Sequence, residues 1–109
     1  MQLTLAPVFK RLLLPASLSG TVTDAQTGSP IAGTLVQVFV IGMTVPIKST
    51  LTDDNGQYRI TDLPSATYTI IVFARNFTTQ SLNVTLMNGK ERKVDIQHNL
   101  LQISVANIS

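Results

Sequence analysis

Apolar and polar positions alternate with a period of two along most of this chain, which is the spacing of strands and not of helices. Leu18 to Asp24 alternates, and Ala25-Gln-Thr-Gly-Ser-Pro30 reads as a turn. Thr34 to Val40 alternates with Val36, Val38 and Val40 on one side, which leaves Leu35 and Phe39 on the other. Gly42 and Pro46 break the pattern after Val40, so an irregular connection is expected before a strand over Ile47 to Thr52. Asp53-Asp-Asn-Gly56 is a strong turn signal. A short strand, Gln57 to Ile60, and a loop, Asp62 to Ala66, come next. Thr67 to Ala74 is the densest run of β-branched and aromatic residues, placing Tyr68, Ile70 and Val72 inward and Ile71 and Phe73 outward. Arg75-Asn76 predicts a turn and Gln80 to Leu86 a strand. Met87-Asn-Gly-Lys90 predicts a hairpin returning through Arg92 to Gln97. No segment has helical periodicity. Short strands separated by turns at this spacing predict an all-β sandwich or barrel.

The chain has 109 residues, of which 44% are apolar and only 13% charged. A single domain of this size can bury a core without metals or disulfides. The sparse charge, with Thr, Ser, Asn and Gln supplying most polarity, fits an extracellular or assembled protein better than a cytosolic one. Net charge is +2, and only Lys90, Arg92 and Lys93 cluster, without interleaved aromatics. That pattern argues against nucleic acid. No cysteine is present, which removes disulfides, a Cys-based zinc site and a thiol nucleophile together. Leu3 to Ala16 is interrupted by Pro7, Lys10, Arg11 and Pro15, so it predicts neither a membrane span nor an ordinary signal peptide.

The ordered set Gly20-Thr-Val-Thr-Asp24, Thr27-Gly-Ser-Pro-Ile-Ala-Gly33, Val36-Gln-Val38, Thr52-Asp-Asp-Asn-Gly-Gln-Tyr58, Leu63-Pro64, Thr67-Tyr-Thr69 and Asn88-Gly89 resembles carboxypeptidase regulatory-like domains. The resemblance covers about Leu18 to Gln97. It implies a seven-stranded Greek-key β-sandwich of transthyretin-like type, here with an N-terminal arm (1–17) and a C-terminal strand or arm (98–109). The family usually has Gly where Ala66 and Asn76 stand. Asn tolerates left-handed backbone, so the second change is mild, whereas Ala66 implies a different loop geometry. The family includes accessory domains of metallocarboxypeptidases, modules of outer-membrane receptors, and repeats of surface adhesins and fibres. Related adhesin repeats carry a Lys–Asn isopeptide bond from a first-strand lysine. Leu18 to Asp24 has no lysine, so no such crosslink is expected.

Nothing in the chain assembles a catalytic constellation. His98 is the only histidine, expected to be solvated at the end of an edge strand, and no Gly-x-Ser-x-Gly elbow occurs. A catalytic zinc site needs several His or carboxylate ligands, and no metal or cofactor is expected. Asp53-Asp54-Asn55-Gly56 lacks the distal acid of a calcium loop and reads as a turn. Both tyrosines read as structural, leaving Phe39, Phe73 and Phe77 as aromatic candidates for a glycan platform. Asn76, Asn83 and Asn107 begin N-glycosylation sequons.

The residues outside the resemblance are conspicuously apolar. Leu3, Leu5, Val8, Phe9, Leu12, Leu13 and Leu14 precede it, and Leu101, Ile103 and Val105 alternate after it. Burying four or five such side chains is worth roughly 6–15 kcal/mol as an upper bound. They either cover their own sandwich or add as a strand to a neighbour. Together with the outward Leu35, Phe39, Ile71 and Phe73 they form the expected assembly interface. The sequence therefore predicts a non-enzymatic structural subunit of an extracellular or cell-surface homo-oligomer or filament, joined by strand addition. The alternative is an accessory module binding glycan or protein within a larger secreted protein.

Overall fold

A computed structural model describes residues 14–99. The strands are β1 (Ala16–Asp24), β2 (Leu35–Val40), β3 (Lys48–Leu51), β4 (Gln57–Leu63), β5 (Ala66–Phe73), β6 (Gln80–Leu86), β7 (Glu91–Lys93) and β8 (Ile96–His98). They form two sheets. The first has β1 at its centre, with β4 on one side and β7 and β8 on the other; the second runs β3-β2-β5-β6. Pairing is antiparallel except where β7 and β8 run parallel to β1. The expected all-β sandwich is present. No helix among the described residues is long and apolar enough to cross a membrane.

Alternation decides which residues meet between the sheets. Leu18 and Val22 of β1, Tyr58, Ile60 and Leu63 of β4, and Ile96 of β8 face Val36 and Val38 of β2, Tyr68, Ile70 and Val72 of β5, and Val84 and Leu86 of β6. Each is buried to 5% exposure or less. A one-residue slip of any strand would turn its apolar set outward, so the inward residues named from sequence are those found in the core. Val40, at the edge of that core, is half-buried. The Tyr68 hydroxyl donates to the Pro64 carbonyl oxygen, which ties the start of β5 to the loop before it.

The eight strands are the expected seven with one interrupted. β7 and β8 keep a single register against β1: Ser19 lies opposite Lys93, and Val22 opposite Ile96. Between them Val94 and Asp95 pass Gly20 and Thr21. Val94 N donates to Ser19 O at 2.7 Å, but the Thr21 N–H is taken by the Asp95 carboxylate at 2.9 Å, so the backbone ladder lapses without a shift. The approach is close enough that a Cβ on Gly20 would stand 1.8 Å from the Val94 oxygen. That oxygen also accepts the Tyr58 hydroxyl at 2.5 Å. Burial, and secondarily the Asp95 carboxylate, push the Tyr58 phenol upward, so it remains a donor at physiological pH.

Three sequence expectations change. The turn Met87–Lys90, closed by Lys90 N to Met87 O at 3.1 Å, does not make a hairpin. It carries the chain from β6 in one sheet to β7 in the other, because β1 offers an unpaired edge there. Strand β4 continues past Ile60 to Leu63 through a bulge. The register against β1 shifts by one between Ala16 and Leu18, and Asp62 takes a positive φ of 60°. Left-handed backbone in that region thus falls on Asp62 and not on Ala66, which opens β5. Strand β1 begins at Ala16, two residues before the start of the alternation, with Ala16 itself buried. Asn76 has a φ of 71°, as its tolerance of left-handed geometry led us to expect.

The chain enters β1 and leaves β8 at opposite ends of the sandwich. At the entry end lie the loop 41–47, the link 64–65 and the turn 87–90. At the exit end lie the connections 25–34, 52–56 and 74–79.

Gly20→Ala should lower the unfolding free energy by about 3 kcal/mol, because backbone must move to admit the methyl group. Gly28→Ala, at a φ of 79° with nothing within 4 Å, should cost only about 1–2 kcal/mol. Denaturant titration of the two variants checks the contrast; equal losses would remove the special status of Gly20.

Candidate assembly surface

The two outer faces of the sandwich have different chemistry. On the first sheet the outward positions are polar. Ser19 Oγ donates to Glu91 Oε2 at 2.6 Å, and Arg59 pairs with Glu91 Oε1 at 3.1 Å. The Ser19 hydrogen bond and then the Arg59 cation hold the Glu91 carboxyl below the usual carboxylate range. An open depression over this face is lined by Ser19, Thr21, Gln57, Arg59, Glu91 and Lys93 among others. This pair is solvated, and an exposed pair of this kind contributes little to stability.

On the second sheet the outward positions are apolar. Leu35 lies opposite Leu51 on one side and Phe73 on the other, giving a row across three strands. Phe73 is 48% exposed and Leu51 61%. Ile71, paired with Gln37, and Phe39, paired with Thr69, stand half-buried in the next two rows. Diagonal neighbours of this kind are within reach of long side chains. The sequence-predicted outward residues Leu35, Phe39, Ile71 and Phe73 therefore share one face. Leu51 joins them and was missed, although strict alternation along β3 opposite β2 would have found it. Toward β6 the face turns polar, with Thr67 and Thr85 hydroxyls 3.0 Å apart and Thr69 Oγ1 donating to Asn83 Oδ1 at 3.0 Å. Asn83 is exposed on this face; Asn76 is exposed in the β5–β6 loop. Leu14 is exposed at the entry end. Leu3, Leu5, Val8, Phe9, Leu12, Leu13, Leu101, Ile103, Val105 and Asn107 lie outside the described residues.

Both sheets also present unpaired edges toward one another. The outer edges of β6 and of β7–β8 have no strand partner among the described residues. A groove of about 320 Å³ runs between them, lined by Gln80, Ser81, Leu82, Asp95, Ile96 and Gln97. Side chains reach across it, Gln80 Nε2 donating to Gln97 O at 3.1 Å and Arg92 Nη1 to Thr85 O at 3.4 Å, and the backbone bond from Thr78 N to Asn99 O at 2.8 Å closes its exit end. Leu82 and Val94 pack against the core here but are only partly buried.

His98 corrects an expectation. It is fully buried and not solvated, because it follows Ile96 on the inward side of β8 and is covered by Phe77, whose ring stacks on it at 5.2 Å. Its Nε2 lies 2.5 Å from Thr78 O, while Nδ1 is buried without a hydrogen-bond partner. Continuing the alternation of Val94 and Ile96 by one step would have placed it inward. Desolvation holds its pKa below the ordinary value of 6.5, partly opposed by the bond to Thr78. The imidazole clasps the loop before β6, as do the bonds from Thr78 N and Oγ1 to Asn99 O at 2.8 and 3.0 Å.

Asp53 Oδ1 accepts the N–H groups of Asn55 and Gln57, both at 2.9 Å, and so organises the turn that its sequence predicts.

Residues 17–99 match the model of the family described as carboxypeptidase regulatory-like domain. A curated relative, carboxypeptidase E of Caenorhabditis elegans, is 36% identical over 75 residues, which are 67% of this chain and 16% of that protein. Among solved structures, the minor pilin GBS52 of Streptococcus agalactiae matches at a TM-score of 0.67 and 18% identity, covering 84% of this chain and 47% of the pilin. The major pilin subunit BcpA of Bacillus cereus matches at 0.68 and 15%, covering 81% and 31%. A catechol 1,2-dioxygenase of Acinetobacter radioresistens matches at 0.67 and 11%, covering 85% and 54%. At these identities the solved structures show a shared fold. The chain spans about one sixth of the curated relative's length.

Because the unfolded histidine binds a proton more readily than the buried one, stability should fall as pH drops below about 6.5 and level off under the folded pKa. Thermal unfolding of the wild type between pH 7.5 and 5 should show this loss, and His98→Gln should flatten it. An unchanged slope in the variant would assign the acid sensitivity to other groups.

Proposed function

The chain belongs to the carboxypeptidase regulatory-like domain family, and from that premise we propose that it is a non-enzymatic structural subunit of an extracellular or cell-surface assembly. Copies are joined by β-strand addition through an apolar arm. The observation that carries this reading is the pair of edges on β6 and β8 that have no strand partner among the described residues, with the half-buried Leu82 and Val94 between them. A strand laid there would find backbone donors and acceptors along β6, and its alternate side chains would complete the burial of both residues. Its direction is set by topology. The chain enters and leaves travelling the same way, along β1 and β8, which run opposite to β6 within the sandwich. An arm passing straight from one copy into the next therefore meets β6 antiparallel, the more favourable pairing. Leu101, Ile103 and Val105 supply the required alternation, as do Leu3 and Leu5. The fold likeness to a minor pilin and to a major pilin subunit supports the same use.

A second reading has its own support. The 36% identity to a stretch of carboxypeptidase E fits an accessory module of a larger secreted protein, binding a glycan or protein ligand. Under that reading the Phe39 and Phe73 face is the contact surface.

Sedimentation and electron microscopy of the full chain, of a chain lacking residues 1–13 and of one lacking 100–109 separate the two. Deletion at residue 13 spares Ala16 and the rest of β1. Large oligomers or filaments that disappear on removing one arm are expected. A monomer in all three preparations would sink the assembly reading and leave the accessory module.

A further inference from the structure

The two ends of the sandwich differ in charge while sharing exposed apolar surface. At the entry end the β2–β3 loop holds out Ile41, Met43, Val45 and Ile47, with Val45 70% and Met43 62% exposed. Met87, 65% exposed, lies in the turn at the same end. Four apolar side chains on alternate positions of one seven-residue loop are costly in water and have no covering element among the described residues. Among the described residues the cations at this end are Lys48, whose Nζ donates to Thr61 O at 2.6 Å, Lys90, and Arg92, whose Nη1 donates to Thr85 O at 3.4 Å. Of the two acids there, Asp62 and Glu91, the second is already neutralised by Arg59 and hydrogen-bonded by Ser19.

The exit end is the reverse. The charged residues of the turns there are Asp24, Asp53 and Asp54 with one cation, Arg75, and the apolar row Leu51–Leu35–Phe73 lies at the same end of its sheet. One oxygen each of Asp24 and Asp53 binds turn backbone N–H groups, which fixes these negative charges in place.

We infer that the two ends are halves of one heterologous contact, through which a second copy of this chain stacks on the first, the Ile41–Ile47 loop of one against the Leu51–Phe73 rim of the next. This rests on the assembly reading and adds to it the docking surface and polarity. Charge complementarity selects the occupant: the basic apolar end fits an acidic apolar surface, and the chain itself carries one at its other end. Such a contact is head-to-tail and uses no twofold axis; where successive copies do not turn back into a ring, it propagates as an open filament. It also sets each arm beside the neighbour that would receive it, because the chain enters at one end and leaves at the other. Opposed charges at a rim steer association and are screened by salt.

The test uses the full chain. Val45→Glu places a carboxylate against the acidic end of the neighbour, and Asp54→Lys places a cation against the basic end. Each should raise the concentration for half-assembly at least tenfold at low salt, by light scattering and sedimentation. Combining Lys90→Glu with Asp54→Lys in one chain should restore assembly, an outcome that misfolding cannot produce. Raising salt should weaken wild-type assembly. If arm removal abolishes assembly but Val45→Glu and Asp54→Lys leave it unchanged, the end-to-end contact is wrong and strand addition stands alone. A wild-type monomer would overturn both. Flotation of that monomer with anionic phosphatidylserine vesicles, lost in Val45→Glu, would reassign the loop to a lipid surface.

Discussion

β1 carries hydrogen-bonded partners along both edges, and it does so because no side chain stands at Gly20 to hold the C-terminal strand away. Three things meet at that residue. The Val94 carbonyl comes within a distance that excludes a Cβ, the Tyr58 hydroxyl reaches across to the same carbonyl, and Asp95 supplies the acceptor that the lapsed ladder lacks. Without this junction β7 and β8 would have no place in the first sheet. Ile96 and His98 would then leave the core, and the groove beside β6 would lose one wall.

The same junction fixes the polarity of the molecule. A parallel final strand means that the chain departs at the end opposite to its entry. An antiparallel final strand would have brought both arms to one end, where they would compete for the same neighbour. The clasp at Thr78 and Asn99 holds the departing chain beside the start of β6. His98 sits under that clasp, buried, with one nitrogen unpartnered among the described residues.

The asymmetry of the faces bears on how such a domain is used. An exposed ion pair and a polar depression make the outer face of the first sheet polar among the described residues. The second sheet presents Leu35, Leu51 and Phe73, and its apolar surface continues in character at the β2–β3 loop. The shared fold spans pilins and a dioxygenase, so the sandwich alone does not select a role.

Alternation and turn chemistry determined which residues face the core. The stereochemistry of a pleated strand makes parity a local property, so Val36, Val38, Tyr68, Ile70 and Val72 could be assigned inward, and Leu35 and Phe73 outward, from the chain alone. Asn76 as a left-handed turn residue was legible for the same reason: the strain falls on one residue, of a type that tolerates it. Which strands pair was not local. The Met87–Lys90 turn has the same chemistry whether it closes a hairpin or crosses between sheets, and only the vacant edge of β1 decided. His98 read as a solvated end residue because its cover, Phe77, is distant in sequence and arrives by folding. The apolar loop at the entry end read as an irregular connection, since nothing local says whether such residues will be covered. Sequence thus determined the faces of each strand, where the forces act between neighbours along the chain. The tertiary structure decided partners, burial of the ends and the charge of each pole, which depend on contacts between residues far apart in sequence.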